Sequence, residues 1–91
     1  MAGKTNASQR GGRYSYASKD KQWLAYERLP RSVRLALQEA AYSWAPYTIW
    51  RRWEGGHYST AQALVKDIQQ WDRDTHKRDA KRDRYIVPPK R

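Results

Sequence analysis

Residues 59–75 read STAQALVKDIQQWDRDT, and this stretch decides the fold. A hydroxyl at Ser59 followed three residues later by Gln62 forms a capping box, in which each side chain satisfies an amide that the first helical turn leaves open. From Ala61 the chain repeats apolar side chains at Leu64, Val65, Ile68 and Trp71, and Thr75 continues the line. That spacing gathers them on one stripe of a helix, where a strand would need alternation. A helix with a single apolar stripe has to lay it against other elements.

Three shorter stretches upstream supply them. Residues 19–29, KDKQWLAYERL, predict a helix capped by Ser18 or Asp20, with Trp23, Tyr26 and Leu29 at helical spacing. It stops before Pro30, because a residue preceding proline avoids helical angles. Residues 31–43 predict a second helix, with Pro30 suited to its first turn. Val33, Ala36, Leu37, Ala40, Ala41 and Trp44 form its inward stripe, and Arg31, Arg34, Gln38 and Glu39 point outward. After a tight connection at Ser43–Pro46, residues 46–54, PYTIWRRWE, predict a third helix. Pro46, Ile49, Trp50 and Trp53 share one face; Tyr47, Thr48, Arg51 and Arg52 take the other or its flank. Gly55–Gly56 ends it.

Downstream, residues 72–84, DRDTHKRDAKRDR, are almost wholly charged. Pairs four apart, Asp74–Arg78 and Asp72–His76, support a solvated continuation of the last helix. Residues 85–91, YIVPPKR, form an extended tail, since two prolines bar helix there. No repeat or strand alternation is visible. The expected fold is all-α: a small bundle of three short helices plus a long, highly charged C-terminal helix, with a disordered N-terminal arm. Residues 1–18 are the flexible basic arm, 19–75 a Trp-rich helical domain, and 76–91 the charged helix extension and Pro-containing tail.

A chain of 91 residues buries only a thin core. Five Trp, seven Tyr and no Phe supply it. Such rings bury much area but carry a polar tip that needs a partner, and in so small a domain some of them are left at the surface as contacts. The formal net charge is +10, concentrated in the first and last thirds of the chain, and the pI is about 10.2. A field of that sign attracts polyanions: nucleic acid first, acidic proteins or anionic membranes second. The bland alternative is that charge keeps a Trp-rich chain soluble.

There is no Cys, which removes disulfides, thiolate metal sites and cysteine catalysis and fits a reducing compartment. No apolar run approaches the ~20 residues of a membrane helix, and residues 1–13 have no apolar signal-peptide core. The expected localisation is cytoplasmic, with no membrane partner. Catalysis has little support. The chain has no Gly-rich phosphate loop, and His57 and His76 stand in no zinc-ligand pattern. Asp72, Asp74 and Asp79 are better explained by mixed-sign surface pairing than by a paired-carboxylate metal site. The sequence therefore predicts a non-enzyme with no metal and no cofactor.

Three groups of residues are candidates for binding. The third helix offers Tyr47, Thr48, Arg51 and Arg52, with Arg31 and Arg34 nearby. The charged run offers Arg73, Lys77, Arg78, Lys81 and Arg82 as a strip for phosphates, or else a solvated helix with no partner. In the arm, Arg10, Arg13 and Tyr14 sit in an Arg-Gly-Gly-Arg-Tyr piece. Arginine pairs with phosphates and both residue types stack on bases, while glycine keeps the chain pliable.

Residues 38–55, QEAAYSWAPYTIWRRWEG, resemble the helix-turn-helix of excisionases and mercury-resistance-type regulators. Glu39-Ala40-Ala41 and Thr48-Ile49-Trp50-Arg51-Arg52-Trp53-Glu54 carry the likeness. The turn is shorter than in those regulators and lacks their glycine. The resemblance implies that Tyr47, Thr48, Arg51 and Arg52 face bases and phosphates in a major groove. The alternative is that Trp50 and Trp53 are core and Arg51–Arg52 a solvated edge. A second resemblance runs from Tyr26 to Trp53, through Glu27-Arg28-Leu29-Pro30 and Ser43-Trp44-Ala45-Pro46. It is to an uncharacterised family of short, basic proteins of alphaproteobacteria and their phages, and implies no activity. The expected function is a small basic nucleic-acid-binding protein, for DNA or RNA, of phage or bacterial origin. Alternatives are a phage-encoded protein-binding inhibitor or accessory factor acting on a host nucleic-acid-handling complex, and a structural subunit of a ribonucleoprotein or virion.

Overall fold

In the computed structural model, which describes residues 14–75 and 84–89, every regular element among the described residues is a helix. They are α1 (Lys19–Arg28), α2 (Arg31–Glu39), α3 (Pro46–Glu54) and α4 (Ala61–Asp74). The all-α class is as expected, and α3 has the bounds its sequence predicts.

The cap of α4 falls one residue later than expected. Thr60, not Ser59, takes the extended N-cap conformation, and its hydroxyl accepts from the Ala63 amide at 3.1 Å. Leu64, Ile68 and Trp71 are buried along its stripe. The helix then closes instead of running on into the charged segment. Thr75 is extended (φ −91°, ψ 128°), its hydroxyl donates to the Trp71 carbonyl at 2.7 Å, and its own carbonyl accepts from the Tyr42 hydroxyl at 3.0 Å. These bonds occupy carbonyls that a helix end leaves open. The expected long charged helix is thus interrupted at Thr75, and residues 76–83 lie outside the described residues.

Helix α1 starts at Ser18, whose hydroxyl accepts from the Lys21 amide at 3.2 Å. Its buried face is Gln22, Ala25 and Leu29, not the expected Trp23–Tyr26–Leu29 line, and Trp23 is 59% exposed. A polar Gln22 inside and an apolar Trp23 outside invert the usual binary pattern. Helix α2 buries Val33 and Ala36 but ends earlier than expected. Ala40 is extended (φ −69°, ψ 148°), and Ala41 is exposed. Residues 40–45 therefore form a non-helical connection, bent at Ala41 and Tyr42, where helix to residue 43 and then a tight connection at Ser43–Pro46 were expected.

The cause is Asp72. Its Oδ2 accepts from the Ala41 amide at 2.9 Å, and its Oδ1 from the Tyr42 amide at 3.2 Å and from the Trp44 indole Nε1 at 3.0 Å. The carboxylate draws the chain off the α2 axis and along the last turn of α4. Trp44 then sits in the core with 2% exposure, its ring 5.9 Å from that of Trp71.

Helix α1 packs on α3 and α2 on α4. Between the pairs lies one cluster containing Leu29, Val33, Trp44, Ile49, Leu64, Ile68 and Trp71. It is completed from the far end of the chain. Ile86, expected in an extended tail, is 1% exposed and belongs to the same core. It pairs in an isolated parallel bridge with Trp44 and an antiparallel one with Tyr14. The Ile86 amide donates to the Ser43 carbonyl at 2.7 Å, its carbonyl accepts from the Ala45 amide at 2.8 Å, and the Ser15 amide donates to the Tyr85 carbonyl at 2.7 Å. Tyr14 and Ser15 thus pair with residues 85–86, and residues 84–89 form a strap along the helical core. Residues 1–13 lie outside the described residues.

Two stability changes follow. Asp72→Ala leaves three donors without their acceptor and is expected to cost about 2–3 kcal/mol. Asp72→Asn, with one acceptor oxygen left, recovers only part of it. Urea titration of the three proteins checks both. Ile86→Ala removes a core side chain and is expected to cost about 2–5 kcal/mol by the same titration; a loose tail would give no change.

Candidate functional site

The N-terminus of α3 has no capping side chain of its own, because Ala45 stands at the N-cap and Pro46 follows. Gln22 of α1, fully buried, supplies the missing acceptor: its Oε1 accepts from the Tyr47 amide at 2.9 Å, and its Nε2 donates to the Ser15 hydroxyl at 2.9 Å. One amide side chain thus fixes α3 to α1 and to the N-terminal segment. This explains the polar residue in the α1 interior, and it sets the angle at which α3 shows its outer face.

That face carries a chain of ring and guanidinium contacts. Arg28, from the last turn of α1, lies over the Trp50 ring, with its Cζ 5.3 Å from the centroid. The Trp50 ring is 6.4 Å from that of Tyr47. The Arg51 Cζ is 5.9 Å from the Tyr47 centroid. Arg28, Trp50, Tyr47 and Arg51 therefore form one continuous strip, two neighbouring rings flanked by two guanidinium groups. Among the described residues the partners of both arginines are rings, not carboxylates. A ring contact engages the flat face of a guanidinium and leaves its in-plane donors available. Beside the strip, Tyr47, Thr48, Arg51, Arg52 and His57 line an open niche of about 280 Å³. Gly56, in the left-handed region at φ 79°, turns the chain after α3 so that His57 joins this wall.

Four of the expected site residues, Tyr47, Thr48, Arg51 and Arg52, are thus together, but Arg52 has a different duty. Its Nη1 donates to the Pro89 carbonyl at 3.1 Å, its Nη2 to the Pro88 carbonyl at 3.0 Å, and its Cζ lies 5.8 Å from the Trp71 centroid. It clamps the C-terminal strap. Arg31 and Arg34 are elsewhere, in a cleft of about 370 Å³ between α1 and α2 with Trp23, Tyr26 and Leu35. Arg73 is on α4, donating to Gln70 Oε1 at 2.8 Å, in a third cleft whose wall includes Glu39 and Asp72. Tyr14 is half-buried in the bridge to Ile86, with Arg84 5.0 Å from its ring. Arg10, Arg13, Lys77, Arg78, Lys81 and Arg82 lie outside the described residues.

The sequence reading missed Arg28, His57 and Gln22. Arg28 and Trp50 are far apart in sequence, so no local period links them. Helix α3 packs on α1, and residues 40–45, bent at Ala41 and Tyr42, separate it from α2. Among the described residues no group of three or more His, Cys, Asp or Glu is placed to hold a metal ion. No helix among them is long and apolar enough to cross a membrane.

A family model described as a family of unknown function, DUF6525, matches residues 2–80, and the chain belongs to that family. This agrees with the resemblance to an uncharacterised family. No curated protein and no solved structure matches the chain.

Because Gln22 orients the α3 face from beneath, Gln22→Leu is expected to leave the Tyr47 amide without its acceptor and cost about 1–3 kcal/mol. Amide hydrogen exchange at Tyr47 should quicken in this variant more than exchange in the middle of α4.

Proposed function

We propose that this member of DUF6525 binds nucleic acid, with the Arg28–Trp50–Tyr47–Arg51 strip as its contact surface and Thr48 and His57 at its margin. The observation that carries the proposal is the strip itself, two rings flanked by two arginines. Phosphates need cations whose donors are not already used by carboxylates, and bases need ring faces. Arg28 and Arg51 meet rings only, among the described residues. The net charge of +10 adds long-range attraction to any polyanion. The role is one of binding, with no catalytic step assigned to any residue.

Fluorescence anisotropy with labelled DNA and RNA oligonucleotides tests the proposal. For about four phosphate contacts, raising salt from about 50 to 200 mM should weaken binding on the order of a hundredfold. Arg28→Ala and Arg51→Ala should each weaken binding across sequences and lower the salt slope by about 1. Their thermal midpoints should stay close to that of the parent, because both side chains are exposed. Affinity that ignores salt, or a double variant that binds as the parent does, refutes the strip as the binding surface.

A further inference from the structure

The strip leaves one group of aromatic residues unexplained. Trp23 is 59% exposed, on the side of α1 away from the strip. It is five residues before Arg28, about 140° around the helix. Its ring is stacked on Tyr26, with centroids 5.7 Å apart and planes 19° from parallel. The Tyr26 hydroxyl accepts from Gln38 Nε2 of α2, which holds the phenol in place. The pair borders two clefts. The larger, about 770 Å³, is bounded by α1, α2, the 40–44 connection and Tyr85, with Gln22, Gln38 and Ser43 among its polar walls. In the smaller, Arg31 and Arg34 stand beside the rings, with Glu27 its acid.

We infer that the Trp23–Tyr26 platform receives an unpaired nucleobase, and hence that the nucleic acid this protein takes is single-stranded. The inference rests on the proposed function and names its substrate class. A duplex keeps its base faces stacked on one another, so an exposed indole has no face to meet there. An unpaired base has one, and stacking on it is tolerant of sequence. The platform is already assembled, so little side-chain freedom is lost when a base lands on it. Arg31 and Arg34 line the smaller cleft beside the rings, where phosphates flanking that base would pass, and the Gln38 amide and Ser43 hydroxyl on the larger cleft's wall suit base edges. A strand that also meets Arg28 and Arg51 crosses over α1 between the two surfaces.

The test uses the full chain with labelled oligothymidylate and oligouridylate of about 12 nucleotides, within the span one small module covers, against a blunt DNA duplex of equal length. Single strands should bind at least tenfold more tightly. Trp23→Ala should weaken single-strand binding about 10- to 100-fold and leave duplex binding unchanged, while Trp23→Phe, which keeps a ring face, should restore most of it. Tryptophan emission should be quenched by the single strand in the parent and less so in Trp23→Phe. Thermal melting of each variant guards against a folding defect; should Trp23→Ala melt early, Trp23→Phe quenching and the single-strand to duplex ratio decide. Equal affinity for duplex and single strand, or undiminished binding by a folded Trp23→Ala, overturns the inference while the Arg28–Arg51 strip stands. Absence of binding to any oligonucleotide at about 50 mM salt overturns both, and leaves the platform as a contact for protein.

Discussion

The Asp72 carboxylate decides where half of this chain goes. It is a single side chain on the last turn of α4, yet it accepts from two consecutive backbone amides, at Ala41 and Tyr42, and from the Trp44 indole. Bonds of this kind, with an ionised acceptor, are about twice as strong as neutral ones. Two adjacent amides on one carboxylate also fix the direction of the chain, and here they force it out of the helix that Ala40 and Ala41 would otherwise extend. Trp44 is turned into the core against Trp71, the immediate neighbour of Asp72. Ser43 and Ala45 are left with a carbonyl and an amide facing Ile86, and these hold the strap. Helix end, core tryptophan and C-terminal strap therefore depend on one acid.

The strap changes how the positive charge should be counted. Arg51 and Arg52 are neighbours in sequence, but one residue of helix rotates them about 100° apart. Arg51 lies outward over Tyr47, and Arg52 turns to the Pro88 and Pro89 carbonyls and Trp71. Composition counts them alike. For binding they differ, because two donors of Arg52 are already used. The opposite holds for Arg28, which has no obvious companion in the sequence and gains one only because α1 packs on α3. Among the described residues, tertiary contacts and not composition decide which guanidinium donors are already used.

The helices were legible because their signals are local. The α4 stripe, the Pro46 start and Gly55–Gly56 stop of α3, and the Pro30 break all act within a few residues, and all appear in the structure. What could not be read is non-local. Asp72 looked like one of several mixed charges, since nothing in the run 72–84 distinguishes it from Asp74; only the arrival of Ala41, Tyr42 and Trp44 does. Ile86 and Pro88 sit in a short apolar piece between charged segments, too short to carry a period, and their burial depends on an open edge of the core that the sequence does not display. Trp23 took an inward place in the helical pattern because hydrophobicity was the only guide, whereas Gln22 has that place through the Tyr47 amide and Ser15. Of the candidate site, Tyr47, Thr48 and Arg51 were legible as one helix face; the platform at Trp23 and the cation at Arg28 were not.

The tryptophans show how so thin a core leaves rings over for contact. Trp44 and Trp71 are buried, at 2% and 7% exposure, and the Trp44 indole N–H reaches Asp72. An indole N–H buried without an acceptor would give back part of what its ring gains by burial. Trp50 is half-buried on α3, and its ring forms part of the strip. Trp23 remains outside, stacked on Tyr26. The domain's own ends also meet at one place: Tyr14 pairs with Ile86, and Arg84 lies over the Tyr14 ring. Tyr85, next to Ile86, borders the larger cleft, whose wall also holds Trp23 and Trp44. The bridge that completes the core therefore also closes one side of the cleft onto which the exposed indole opens.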